Sequence, residues 1–285
     1  MMRSVNILST IILLSMLFIF SCTEPIDITL DESYARLIVE GSVTTDRMNH
    51  RVVLSRTSDY FYNQPPIMVT GAKVSISDNG IPNELKEVSP GNYITGPSFR
   101  GAVGHTYNLN IVLSEPIGGF SEYSASSTMN YVSPVDSIGL LYHPDWGEEG
   151  VWEVQCFVLD PPSADYYRFM ISRNRKLLTD TLNEWFVIDD KFFNGNYVAG
   201  AGIGFLGQDS PDERLEPGDT VTAEINSIGK DYASFIQEAQ SELFGSNPLF
   251  SGPPANVKGN ISNGAFGFFS AYSITRGYAI APGTK

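Results

Sequence analysis

The sequence predicts a mainly β fold, with an N-terminal immunoglobulin-like β-sandwich followed by a second β-rich domain that carries one amphipathic helix. Three observations predict it. Between Ala35 and Met129, short stretches of alternating apolar and polar residues recur at sandwich spacing, each closed by turn residues. The chain has 26 Gly, 12% aromatic and only 18% charged residues, which suits strands and turns better than helix bundles. Only Asp231 to Leu243 carries a convincing helical repeat of apolar residues. At roughly 150 residues per domain, 285 residues predict about two domains.

In the first unit, 35–129, strands are expected at Leu37 to Val43 and Val52 to Arg56. Ala72 to Ser77 alternates strictly and runs into Asp78-Asn79-Gly80, a turn that tolerates positive φ, so Glu84 to Val88 is expected to return across that hairpin. Pro90-Gly91-Asn92-Tyr93 marks another turn. Gly104 to Ile111 places Tyr107, Leu109 and Ile111 on one face, with Tyr107 a candidate tyrosine corner, and Tyr123 to Thr128 closes the set. The second unit, 130–285, has expected strands at Ser137 to Tyr142, Val151 to Leu159, Tyr166 to Arg173, Thr181 to Val187 and Thr220 to Ile225. Gly200-Ala201-Gly202-Ile203-Gly204 lacks the full dinucleotide glycine spacing and reads as a strand edge or loop. The helix near 231–243 puts Tyr232, Phe235, Ile236, Ala239 and Leu243 on one stripe, to be packed on the second sheet, with Asp231 as candidate N-cap and Gly245 as stop. A glycine, asparagine and aromatic tail follows.

Charge excludes some partners. Eighteen basic against 32 acidic residues give −14, and the longest basic cluster is Arg173-Asn174-Arg175-Lys176, so neither nucleic acid nor an anionic membrane surface is expected to bind electrostatically. His50, His105 and His143 are far apart, without metal-ligand spacing, and no catalytic motif stands out. No metal, no cofactor and no enzymatic activity are therefore expected. Cys156 alternates with Trp152, Val154 and Val158 and is expected in the core.

The N-terminus supplies an address. Arg3 precedes an apolar run from Val5 to Phe20, shorter than a membrane span and closed by Ser21-Cys22. Ile19-Phe20-Ser21-Cys22 resembles a bacterial lipobox, so residues 1–21 are expected to be a signal peptide, with Cys22 lipidated and anchored by its acyl chains. Residues 22–34 then form an acidic linker, similar to the surface-export signal of Bacteroidota lipoproteins.

Ordered motifs run along nearly the whole chain. They include Leu37-Ile38-Val39-Glu40-Gly41, Val53-Leu54-Ser55-Arg56-Thr57, Ile188-Asp189-Asp190-Lys191-Phe192-Phe193-Asn194-Gly195, Pro217-Gly218-Asp219-Thr220-Val221 and Gly267-Phe268-Phe269-Ser270-Ala271-Tyr272. Together they resemble domain-of-unknown-function family 4249 of Bacteroidota outer-membrane lipoproteins. That resemblance implies an outer-membrane location and a TonB-dependent transporter as partner, but no site residue; the acidic stretch after Cys22 adds the expectation that the protein faces the cell exterior.

The expected function is thus a surface-anchored accessory or substrate-binding partner of that transporter in nutrient uptake. Tyr60, Phe61, Tyr62 and Trp146 are the candidate contacts, since exposed aromatic rings supply area at small entropic cost. A loop folded back on its own sandwich, and a solvated hairpin at His143 to Glu149, are the competing readings of these segments. Two other functions compete: a structural or adhesive module without small ligand, and a surface hydrolase using Asp145, Glu148, Asp189 or Asp190.

Overall fold

The computed structural model describes residues 35–57, 65–244 and 257–283, and these are mainly β, with several sheets and one α-helix among them. The strands of its first part are β1 (Leu37–Thr44), β2 (Arg51–Arg56), β3 (Ile67–Met68), β4 (Lys73–Asp78), β5 (Ile81–Glu84), β6 (Lys86–Ser89), β7 (Asn92–Ile94), β8 (Thr106–Ile117) and β9 (Phe120–Thr128). Then follow β10 (Ser137–His143), β11 (Val151–Leu159), β12 (Tyr166–Arg173), β13 (Lys176–Leu177), β14 (Phe186–Asp189), β15 (Tyr197–Gly207) and β16 (Thr220–Ile228). Helix α1 (Lys230–Phe244) and the long strand β17 (Phe266–Ile280) complete the order.

One ten-stranded sheet organises everything. Its main path is β13-β12-β16-β17-β1-β2-β7-β6, with β14 attached to β12 and β3 to β2. Strand β17 joins its halves: Phe266 to Tyr272 pair parallel with β1, and Ser273 to Ile280 pair antiparallel with β16. The chain therefore leaves the first sandwich after β9 and returns to it through β17.

Alternation decides which face each residue takes. Leu37, Val39 and Val43 of β1, Val52 and Leu54 of β2, and Phe269 and Ala271 of β17 enter a core shared with the β5-β4-β8-β9 sheet. Tyr167, Phe169 and Ile171 of β12, with Val221, Ala223 and Ile225 of β16, enter a second core against the β10-β11-β15 sheet, and Ala279 packs on it. Phe269, Ala271 and Ala279 have the same parity on β17, so both smaller sheets cover the same face of the large one. The opposite face is left to α1. Each fully buried Leu, Val or Ile contributes about 1.5–3 kcal/mol, so these two cores dominate the stability.

Buried tyrosine hydroxyls tie loops to the first core. Tyr107 accepts from the Ala102 N–H at 2.7 Å, five residues upstream, and Tyr93 accepts from Ala72 and donates to Val69. Burial pushes both phenols above their usual range.

Four expectations change in detail. The hairpin return is Ile81 to Glu84 rather than Glu84 to Val88, because Asp78 pairs directly with Ile81 across a turn with positive φ at Asn79 and Gly80. Leu85 is then buried and bonded to the Val74 carbonyl, and Lys86 onward crosses to the large sheet. In place of one strand from Thr181 to Val187 there is a 3₁₀ turn at Leu182–Glu184 before β14, because Thr181 and Glu184 form a capping box. Asp231 lies in the first turn of α1 rather than before it, where its charge still complements the helix dipole. Leu243 is 61% exposed, and only the earlier part of the apolar stripe reaches the sheet.

Candidate functional site

The open face of the ten-stranded sheet and α1 enclose a cleft of about 980 Å³. Strand alternation builds its floor: Ile38, Glu40 and Ser42 from β1, Arg168 and Met170 from β12, Glu224 from β16, and Phe268, Tyr272, Ile274 and Arg276 from β17. Tyr232 and Phe235 of α1 and Trp185 form an aromatic wall. Tyr232 and Phe235 lie 4.8 and 5.2 Å from the Phe268 ring, which fixes the helix over β17.

A polar chain crosses this floor. Arg168, only 4% exposed, donates from Nε and Nη2 to Asn226 Oδ1 at 3.0 and 2.7 Å, and its guanidinium lies 4.6 Å from the Trp185 ring and 4.9 Å from that of Tyr272. Asn226 passes the polarity on, donating to Glu224 at 2.9 Å. Glu224 accepts from Arg276, which also grips Asp46 with both terminal nitrogens at 3.0 and 2.5 Å. That pairing holds the Asp46 carboxyl below its ordinary range. His50, 2% exposed, ends the chain: its Nδ1 accepts from the Thr44 N–H, so its Nε2 donates to the Asp46 carbonyl. Burial lowers its pKa, which keeps the ring neutral near pH 7. With Glu224 and Asp46 engaged by Arg276, the cleft offers aromatic area and fixed polar anchors.

Trp146 is 47% exposed on the outer side of the β10-β11-β15 sheet. It stacks on His143 at 3.9 Å, and His143 is pinned by Glu153 at 2.8 Å. Phe205, 55% exposed, stands 5.9 Å from Trp146. This aromatic corner is separate from the cleft, whose lining does not include Trp146. Cys22, Tyr60, Phe61 and Tyr62 lie outside the described residues, as do the apolar run at Val5 to Phe20 and Gly245.

The carboxylates considered for hydrolysis are dispersed. Asp145, Glu148 and Asp189 are exposed and Asp190 is buried, and none lines the cleft. Asp190 instead accepts from the Asp165 N–H at 2.9 Å beside two further buried aspartates. Asp160 holds the Tyr167 hydroxyl and the Gly195 N–H, and Asp165 holds the Ser163 hydroxyl. Burial raises the pKa of both Asp160 and Asp165. Among the described residues no group of three or more His, Cys, Asp or Glu is placed to hold a metal ion, and no helix is long and apolar enough to cross a membrane.

The cleft residues carried a weak sequence signal. Arg168 is a cation inside the otherwise apolar run Tyr166-Tyr167-Arg168-Phe169-Met170-Ile171, a placement that costs free energy unless partners are built around it. Those partners come from Asn226, Tyr232 and Tyr272, far along the chain.

No curated protein matches the chain. The sequence profile of the domain of unknown function DUF4249 matches residues 23–277, nearly the whole chain after Cys22. The ordered motifs along both sandwiches thus have a common source, and the protein belongs to the DUF4249 family.

Proposed function

We propose that this protein is a lipid-anchored accessory of a TonB-dependent transporter in the outer membrane, and that it captures or presents a nutrient in the cleft beneath α1. The cleft carries the reading: its aromatic wall and fixed charged anchors suit recognition of a ligand held by area and a few polar contacts. The lipobox-like Ile19-Phe20-Ser21-Cys22 supports the anchor. The family resemblance supports the transporter.

Affinity capture of the tagged full-length chain from detergent-solubilised membranes, after mild crosslinking, is the direct test. The transporter is expected to copurify; repeated recovery of the chain alone removes the partnership. Cys22→Ala is expected to leave the membrane fraction, and its retention there removes the anchor.

A further inference from the structure

We propose that the free edge of β15 accepts an extended strand from another protein, independently of the cleft beneath α1. Strand β15 is eleven residues long, and among the described residues its one sheet neighbour is β11. In an antiparallel ladder about half of its main-chain groups point away from that neighbour. Among the described residues, the only hydrogen bond found on this outer side is Gly207 N–H to Glu213. Natural edge strands are usually blunted by charge or proline. Tyr197 to Gly207 contains neither, and its ladder with β11 carries two register irregularities.

Beside this edge the second sandwich is open. A slot of about 260 Å³ runs between β15 and the β12 side of the large sheet, lined by Phe169, Ile171, Phe186, Ile203, Phe205 and Leu206. A cavity of about 150 Å³ holds benzene, so the slot has room for one large apolar side chain. Phe186 is 42% exposed beside the slot, and Phe205, 55% exposed, lines its rim with its ring turned outward towards Trp146. Edge and slot together match strand addition, in which main-chain bonds give affinity and alternate side chains fill pockets.

Charge selects the occupant. Glu184 and Glu213 also line the slot. The fitting segment is therefore extended, with an apolar residue for the slot and a Lys or Arg for its acidic rim. A second copy of β15 fits poorly, since it has no basic residue and its Ile203 and Leu206 already sit in their own core.

The test is selection of strand-length peptides from a random display library on the full-length chain in detergent, followed by binding and hydrogen-exchange measurements with the enriched peptides. Enriched peptides are expected to alternate apolar and polar residues, to carry a basic residue, and to slow exchange of amides in Tyr197 to Leu206. Gly204→Val projects into the slot beside Ile171, and Phe205→Lys puts charge on the exposed edge next to it. Each is expected to weaken binding about tenfold or more, whereas Lys86→Ala in the other sandwich leaves it unchanged. Phe205 is half exposed, so its variant tests the site even if Gly204→Val fails to fold. No enrichment, peptides without alternation, or binding insensitive to Phe205→Lys overturns the proposal.

Discussion

At the scale of single residues, buried polar groups decide the outcome. Arg168→Ala leaves Asn226 Oδ1 without its two donors and removes the cation from between Trp185 and Tyr272, so a loss of about 2–4 kcal/mol in urea unfolding is expected. Arg168→Lys should recover little of it, because an ammonium cannot reproduce the planar fork. Cys156 is 2% exposed and burial pushes its thiol up to about 12, so iodoacetamide at about pH 8 should label it only after unfolding. Asp165 gives a pH signature. Its folded pKa is raised by burial, so its contribution is fully present below the unfolded value of about 4 and is lost as pH rises through the higher folded value. Asp165→Asn should therefore gain stability relative to the parent as pH rises from about 4 towards neutrality, read as a shift in urea midpoint. An Asp165→Asn difference that stays constant with pH would contradict this.

At the scale of elements, β17 sets the strictest condition. Gly267 has φ +91°, and a Cβ there would overlap the Val39 carbonyl of β1. Gly267→Ala is expected to cost more than about 2 kcal/mol, by combined strain and lost parallel pairing, visible as a lower thermal midpoint. This strand also marks the limit of what local patterns reveal. Strand β11 was legible to the residue because Trp152, Val154 and Cys156 alternate with Glu153 and Gln155, and β12 because an apolar run rich in aromatic residues is bounded by the turn at Asn174. Strand β17 was not: Phe268, Phe269, Ser270, Ala271 and Tyr272 are all buried, one face under α1 and the other in the first core, so no alternation showed. The cleft was hidden for a related reason. Its residues, polar and apolar, come from strands whose spatial order is absent from any local window. The aromatic corner at Trp146 was easier to see, because His143 and Trp146 are neighbours in sequence.

At the scale of the molecule, one strand shared by two sandwiches couples their stabilities. Phe269 and Ala271 fill the first core while Ser273 to Ile280 zip to β16 above the second, so neither core can lose β17 without the other being affected. Urea unfolding followed by tryptophan fluorescence, which reports Trp146, Trp152 and Trp185 in the second half, should coincide with far-ultraviolet circular dichroism, which reports both halves. Two separated transitions would show that the shared strand does not couple them.

The parallel pairing of β1 with β17 has a consequence for biosynthesis. Val39 meets its partner Gly267 only after more than two hundred further residues have been made. During translation β1 therefore waits beside an empty lane, and the first sandwich cannot finish ahead of the second as a nascent domain ordinarily would. A strand near residue 40 that is completed by one near residue 270 keeps the first core unfinished until that later segment has left the ribosome.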